Sequence, residues 1–455
     1  MRRVERCSRL ALAREARGAA DREVRRRLAM GQTITQKIVA RAAGLERVEP
    51  GQYVNVSPDY TCCQDISWPA RKRIMEEAGV ERLARPDRLV MVVDHTTSAG
   101  MGTVYHRNHG EMRRFAEATG ANYYGPGSGL RHQVLVEEGF ARPGLLVFTD
   151  EPNIASIGVV GAMNLAISTE VVVTSVLNEN WMMVPRPVRI TLTGALSPGA
   201  SIRDLAQILI RDYAQTDILS QACVQYDGPG VATLSLDERQ SLLACTYHAG
   251  ADTALMPVDA SALSYARARA GGRDFELFAD DPDAAFDHEA VYDLSAIEPM
   301  VTVPPELFGA VGVGAVSGRR IDQAAIASCA SARMDDLREA ASILRGRRVA
   351  PHVTMYVTPA SREIYAEAGR EGLLSIFAEA GATVLAPGCT TCWGYEGYLN
   401  EGEVSVSTHQ MNYNGRNGSR TASVYLAGPA LVAASAVAGC ITDPRDLLAI
   451  EGRAA

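Results

Sequence analysis

The sequence predicts an α/β fold with largely parallel sheets, and three observations carry that reading. Short β-rich runs alternate along the chain with amphipathic segments. The runs are apolar without a break, as strands covered on both faces are. The segments between them place apolar residues at three- and four-residue steps, the spacing of a helix. In chain order the expected strands are "RLVMVVDH" (88–95), "GLLVFTDE" (144–151), "VRITLTG" (188–194), "IDQAAIASC" (321–329), "HVTMYVTPAS" (352–361) and "ATVLAPGC" (382–389). The clearest helical stretches are "ARMDDLREAASIL" (332–344) and "REIYAEAGREGLLSIFAEAG" (362–381). At 455 residues the chain is too long for one core. Composition shifts near Pro187 and in the acidic stretch 278–290 suggest an Arg-rich extension over 1–30 and domains over 31–190, 191–290 and 291–455.

Charge and composition exclude several functions. A formal net charge of -8 offers no basic face for nucleic acid. Apolar runs such as "LAGPALVAASAVAG" (426–439) are too short to cross a bilayer. Nine cysteines, an odd number with no apolar signal segment ahead of them, argue against a secreted disulfide framework and for a reducing cytoplasm. The first thirty residues are crowded with arginine, but Glu5, Glu15, Asp21 and Glu23 interrupt the pattern of a targeting peptide, which reads better as a solvated extension.

In parallel α/β sheets, ligands gather outside the carboxyl ends of the strands. Asp94 and His95 end one expected strand, Asp150 a second, Cys329 a third and Cys389 a fourth, so these groups are expected to converge. Cys389 and Cys392 form a CxxC pair. A thioredoxin-like unit to support a redox role is missing around them, and a closed zinc site needs a second close pair of ligands. A buried pair acting as small hydrophobes stays open. Cys329, at another strand end before a helix, favours a third reading. Three cysteines spaced in this way fit a [4Fe-4S] cluster with one iron lacking a protein ligand, a Lewis acid for a substrate hydroxyl and carboxylate.

The ordered stretches "MGQTITQKIVARAAG", "VVDHTTSAG", "GSGLRHQVLVEEG", "SLDERQSLLACTYHAGA", "IDQAAIASCASARMDDLREAA", "APGCTTCWG", "NYNGRNGSR" and "AGPALVAASAVAGCITDPRDL" closely resemble the aconitase superfamily, nearest to the large subunits of 3-isopropylmalate dehydratase and homoaconitase. The resemblance implies three α/β/α domains around a [4Fe-4S] cluster and reversible hydration or dehydration of hydroxy-carboxylic acids. It makes Cys329, Cys389 and Cys392 the cluster ligands, and Asp94 with His95 the pair that protonates the departing hydroxyl. It also implies that His132 and Asp150 form a second such pair, and that Gln64 and Arg416 bind substrate carboxylate. The fourth, swivelling domain would come from a separate small subunit, making a heterodimer.

The departures from the family pattern bear on the substrate. Where the family reads Asp-Ser-His-Thr, this chain reads Asp150, Glu151, Pro152, Asn153. The glutamate that holds the missing histidine falls at Gln225, and a family arginine at the neutral Met411. These losses predict that one substrate carboxylate is absent, moved or recognised differently, because a buried unpaired carboxylate costs several kcal/mol. The expected activity is that of a hydro-lyase or isomerase on an altered hydroxy acid. Its competitors are another lyase step such as decarboxylation, a cluster-bearing sensor or RNA-binding relative, and a scaffold that has lost its chemistry.

Overall fold

The structure, a computed structural model, describes residues 31–98, 100 and 102–448; the Arg-rich extension expected over 1–30 lies outside the described residues. Three main sheets succeed one another along the chain. The first has five parallel strands in the spatial order Asn122–Tyr124, Leu89–Val92, Tyr60–Gln64, Leu146–Thr149, Met163–Ala166. A two-stranded antiparallel ribbon, Tyr53–Val56 with Asn180–Met183, stands beside it. The second has four parallel strands, Thr253–Leu255, Ala222–Asp227, Arg186–Thr193 and His288–Asp293. The third has seven, Ala310–Gly312, Met300–Thr302, Ser423–Ala427, Val404–Ser407, Gln323–Ile326, Thr354–Val357 and Thr383–Val384. Only Met300–Thr302 runs antiparallel to both neighbours in that sheet.

Of the strands that lead to the expected site, Thr383–Val384 before Cys389 is a short, partly exposed edge strand, and three are covered on both faces: every residue of Leu89–Val92, Leu146–Thr149 and Gln323–Ile326 is buried. Two other expected strands are not. Arg186–Thr193 alternates buried and half-buried positions, because its neighbour His288–Asp293 is an edge strand that leaves one face toward solvent. Thr354–Val357 also alternates, beside a two-residue edge strand. The helical stretch 362–381 is two helices, Arg362–Arg370 and Leu373–Ala380, since Gly372 turns into the left-handed region at φ 75° and ends the first. The acidic stretch expected to mark a joint instead packs onto the first helix, Ile34–Ala43. Asp280 accepts the Ile34 N–H at 2.8 Å and Asp281 the Gln32 N–H at 2.7 Å, carboxylates at the positive end of the helix dipole. Among the described residues no helix is long and apolar enough to cross a membrane.

A group of carboxyls joins the second and third sheets' helices. Burial pushes Asp204 and Asp336 up to about 7. Burial, reinforced by Asp336 and Asp204, pushes Glu339 up to about 8. In the unfolded chain such groups titrate near 4, so between there and 7–8 the folded state holds more protons. Stability is therefore greatest at the acidic end of that window and falls as pH rises through the folded values. The melting temperature is expected to be lower at pH 9 than at pH 6, with a shallower slope in Glu339→Gln. A melting temperature that rises over that interval contradicts the assignment.

Candidate active site

The carboxyl ends of the first and third sheets face one cavity of about 160 Å³. Asp94, His95, His132, Cys329, Cys389, Cys392 and Arg416 all line it. After Val92 the chain turns around a carboxylate that sequence reasoning had passed over, Asp65. Its two oxygens accept the backbone N–H groups of Asp94, His95 and Thr96 at 3.2, 3.1 and 2.9 Å, and the Thr96 hydroxyl as well. Burial alone would raise this carboxyl. Its bonds to His109 and Thr96 and the charge of His95 win, and hold it well below the usual carboxylate range. The turn so fixed presents His95. Its Nδ1–H donates to Asp94 Oδ1 at 2.8 Å, and its Nε2 faces Glu151 Oε1 at 3.3 Å. Burial works against a charged imidazole here, but Asp94 and Glu151 outweigh it and raise His95 well above its ordinary value. An imidazolium with one nitrogen tied to a carboxylate holds its other proton toward the cavity.

Arg131, completely buried at the start of the helix Arg131–Glu137, organises the acids. Its Nε donates to Asp94 Oδ2 at 3.1 Å, and its two terminal nitrogens bind Asp150 and Glu151. Asp150 also receives Arg71 at 2.5 Å and the Gln64 N–H at 3.1 Å. The expected His132–Asp150 pair is therefore not formed: the carboxylate is occupied by two guanidinium groups, and His132 Nε2 is buried with no hydrogen-bond partner. Burial, then the charges of Arg333 and Arg131, push His132 well below its ordinary value, so it stands as a neutral imidazole. Gln64 departs from expectation too. It is not among the residues lining the cavity; its backbone supports Asp150 and its side-chain oxygen is buried without a partner. Gln225 has turned to the acidic stretch, donating to Asp280 at 2.6 Å.

Cys329 stands in a loop, whereas Cys389 caps the short helix Thr390–Trp393 that carries Cys392. Before and after Cys329, Ser328 (φ 86°) and Ala332 (φ 65°) adopt the left-handed region that non-glycine residues avoid, strain of a kind that surrounding contacts must fix. Ser328 Oγ donates to the Thr408 carbonyl at 2.9 Å, and the buried Arg333 donates to the Cys329 carbonyl at 3.0 Å. Cys389 follows Gly388, where a Cβ would lie 3.0 Å from the Asp94 carbonyl; that same carbonyl accepts the Cys389 N–H at 2.6 Å. The CxxC loop thus sits directly on the turn that carries His95. Cys389 and Cys392 share a hydrogen bond that favours the thiolate on Cys392, with His409 and Arg416 assisting, while burial pushes the Cys329 thiol up. Arg416 lies over the Trp393 ring at 4.2 Å and donates to the Cys392 carbonyl at 2.9 Å. Trp393 in turn meets the His95 ring edge-on, 5.7 Å between centroids.

One set of described residues, Asp65, Asp94 and His95, brings three ligand atoms within 4.8 Å of one another, as a single ion requires. Those atoms are engaged in the hydrogen bonds given above. Cys329, Cys389 and Cys392 share the cavity but do not form such a set.

A model of the aconitase family (aconitate hydratase) matches residues 34–315 and 310–439. The chain belongs to the aconitase family. It is 37% identical over 424 residues to the 3-isopropylmalate dehydratase large subunit 1 of Methanopyrus kandleri, covering 92% of this chain and 100% of the relative. It is 35% identical over 421 residues to the homoaconitase large subunit of Thermus thermophilus, with 92% and 98% covered. Among solved structures, the holo-form of Thermococcus kodakaraensis aconitase X aligns with a TM-score of 0.47 at 12% identity, over 83% of this chain and 89% of that one. This aconitase-family chain is accordingly a lyase of the hydro-lyase kind.

Proposed function

We propose that Cys329, Cys389 and Cys392 hold a [4Fe-4S] cluster and that the chain adds or removes the hydroxyl of a small hydroxy-carboxylic acid. The observation that carries this is the union of the three thiols with the Asp94–His95 pair in one cavity, fastened by the Cys389 N–H on the Asp94 carbonyl. Such a cluster, when bound, supplies a Lewis-acidic iron for the substrate oxygens. His95 gives its Nε2 proton to the departing hydroxyl and recovers it in the reverse direction, while Asp94 steadies the imidazolium. Asp65 and Arg131 hold that pair in place, and Arg416 offers a guanidinium for the substrate carboxylate. Asp150 serves Arg131 rather than a second histidine. His132, neutral and unpartnered in the cavity wall, is left for a substrate contact. Curated relatives of nearly the same length are named as large subunits, which supports a separate small subunit carrying the remaining groups.

Anaerobic reconstitution with iron and sulfide, followed by metal analysis and EPR, tests the reading. About four irons per chain are expected in the wild type, and their loss in Cys329→Ala. A wild-type chain that takes up no cluster removes the basis of the proposal.

A further inference from the structure

Resting on the hydro-lyase reading, we propose that Glu151 and Asn153 select a substrate in which one carboxylate is replaced by a hydrogen-bond donor, with a carboxamide as the simplest form. The cavity's own charges support this. Asp94, Asp150 and Glu151 face Arg71, Arg131 and the His95 imidazolium, and each is bonded within that set. Arg131, though it reaches the cavity wall, is committed through Nε and both terminal nitrogens to these three acids. Of the guanidinium groups that this chain places on the cavity, that leaves Arg416 for a substrate carboxylate.

Glu151 itself lines the cavity. Its side chain is 25% exposed, bonded by Arg131 on one oxygen and beside His95 Nε2 on the other. The charge of Arg131 keeps it ionised well below the usual range against the opposing effect of burial. A like charge brought against it in a partly desolvated cavity is repelled, whereas an N–H or O–H donor is attracted. Two further atoms ask for the same kind of ligand. The Asn153 side-chain oxygen and His132 Nε2 are buried without partners, and both residues line the cavity. Buried polar atoms of this sort are ordinarily satisfied. The remaining wall, with Leu130, Ile154 and Met411, is apolar and suits an aliphatic branch.

The test compares 3-isopropylmalate with its two monoamides, which differ from the diacid by one neutral donor group. Dissociation constants are measured by anaerobic calorimetry on the cluster-loaded full chain with the candidate small subunit present, for wild type, Glu151→Gln and Glu151→Ser. One monoamide is expected to bind the wild type about tenfold or more tightly than the diacid, and the preference is expected to vanish or reverse in Glu151→Ser. The near-isosteric Glu151→Gln, which keeps an acceptor for Arg131, is expected to gain diacid affinity without loss of fold. A cluster-loaded wild type that binds the diacid as well as either amide, or binds none of the three, overturns this inference while the cluster assignment stands. A chain that takes up no cluster overturns both.

Discussion

Arg131→Met is expected to destabilise the folded chain by about 3–5 kcal/mol, the usual cost of removing one partner from a buried ionic network. Arg131 is as buried as any core leucine and contacts Asp94, Asp150 and Glu151 simultaneously. Methionine fills much of the volume but leaves Asp94 and Glu151 to share one cation, the His95 imidazolium, while Asp150 keeps Arg71. Arg131→Lys retains the charge but not the planar fork that reaches three acids, so it should fall between wild type and Met. Chemical denaturation of the three proteins measures the differences. A Met variant within about 0.5 kcal/mol of wild type, the range of an ordinary surface change, contradicts the central place given to this guanidinium.

His95→Ala is expected to lower turnover by about 10²–10⁴-fold, the range for losing a general acid. The cluster spectrum should be unchanged, since no cysteine contact runs through the imidazole: the CxxC loop rests on the Asp94 carbonyl and the backbone turn on Asp65. The ring does touch Trp393, so a small shift in the environment of Arg416 is compatible with the account.

The parallel sheets and the strand-end positions of Asp94, His95, Asp150 and Cys329 were legible in the sequence, because continuous apolar runs ending in polar residues mark buried strands; Cys389 instead caps the short helix Thr390–Trp393, beyond a two-residue, partly exposed edge strand. The motifs resembling the aconitase superfamily were legible as well, and the chain belongs to that family. Pairing was not legible. Asp150 was expected to hold His132, but an arginine one residue earlier in the helix reaches it first. Nothing in "GLRHQ" marks Arg131 as buried, since a lone arginine at a helix start ordinarily reads as a solvated charge. Asp65 escaped notice for a related reason: its work is done on backbone N–H groups twenty-nine to thirty-one residues later, which leave no side-chain pattern. Glu151 was legible only as a departure from the family pattern. The structure gives it partners, Arg131 and His95, that no spacing rule connects to it.

The most direct measurement follows a hydroxy acid accepted by the wild type, in the presence of the candidate small subunit, by the ultraviolet absorbance of its unsaturated product, with EPR on the same anaerobic samples of wild type and His95→Ala. The account predicts the same cluster signal in both and turnover in the wild type alone. Equal turnover in the two, with the cluster present, contradicts it.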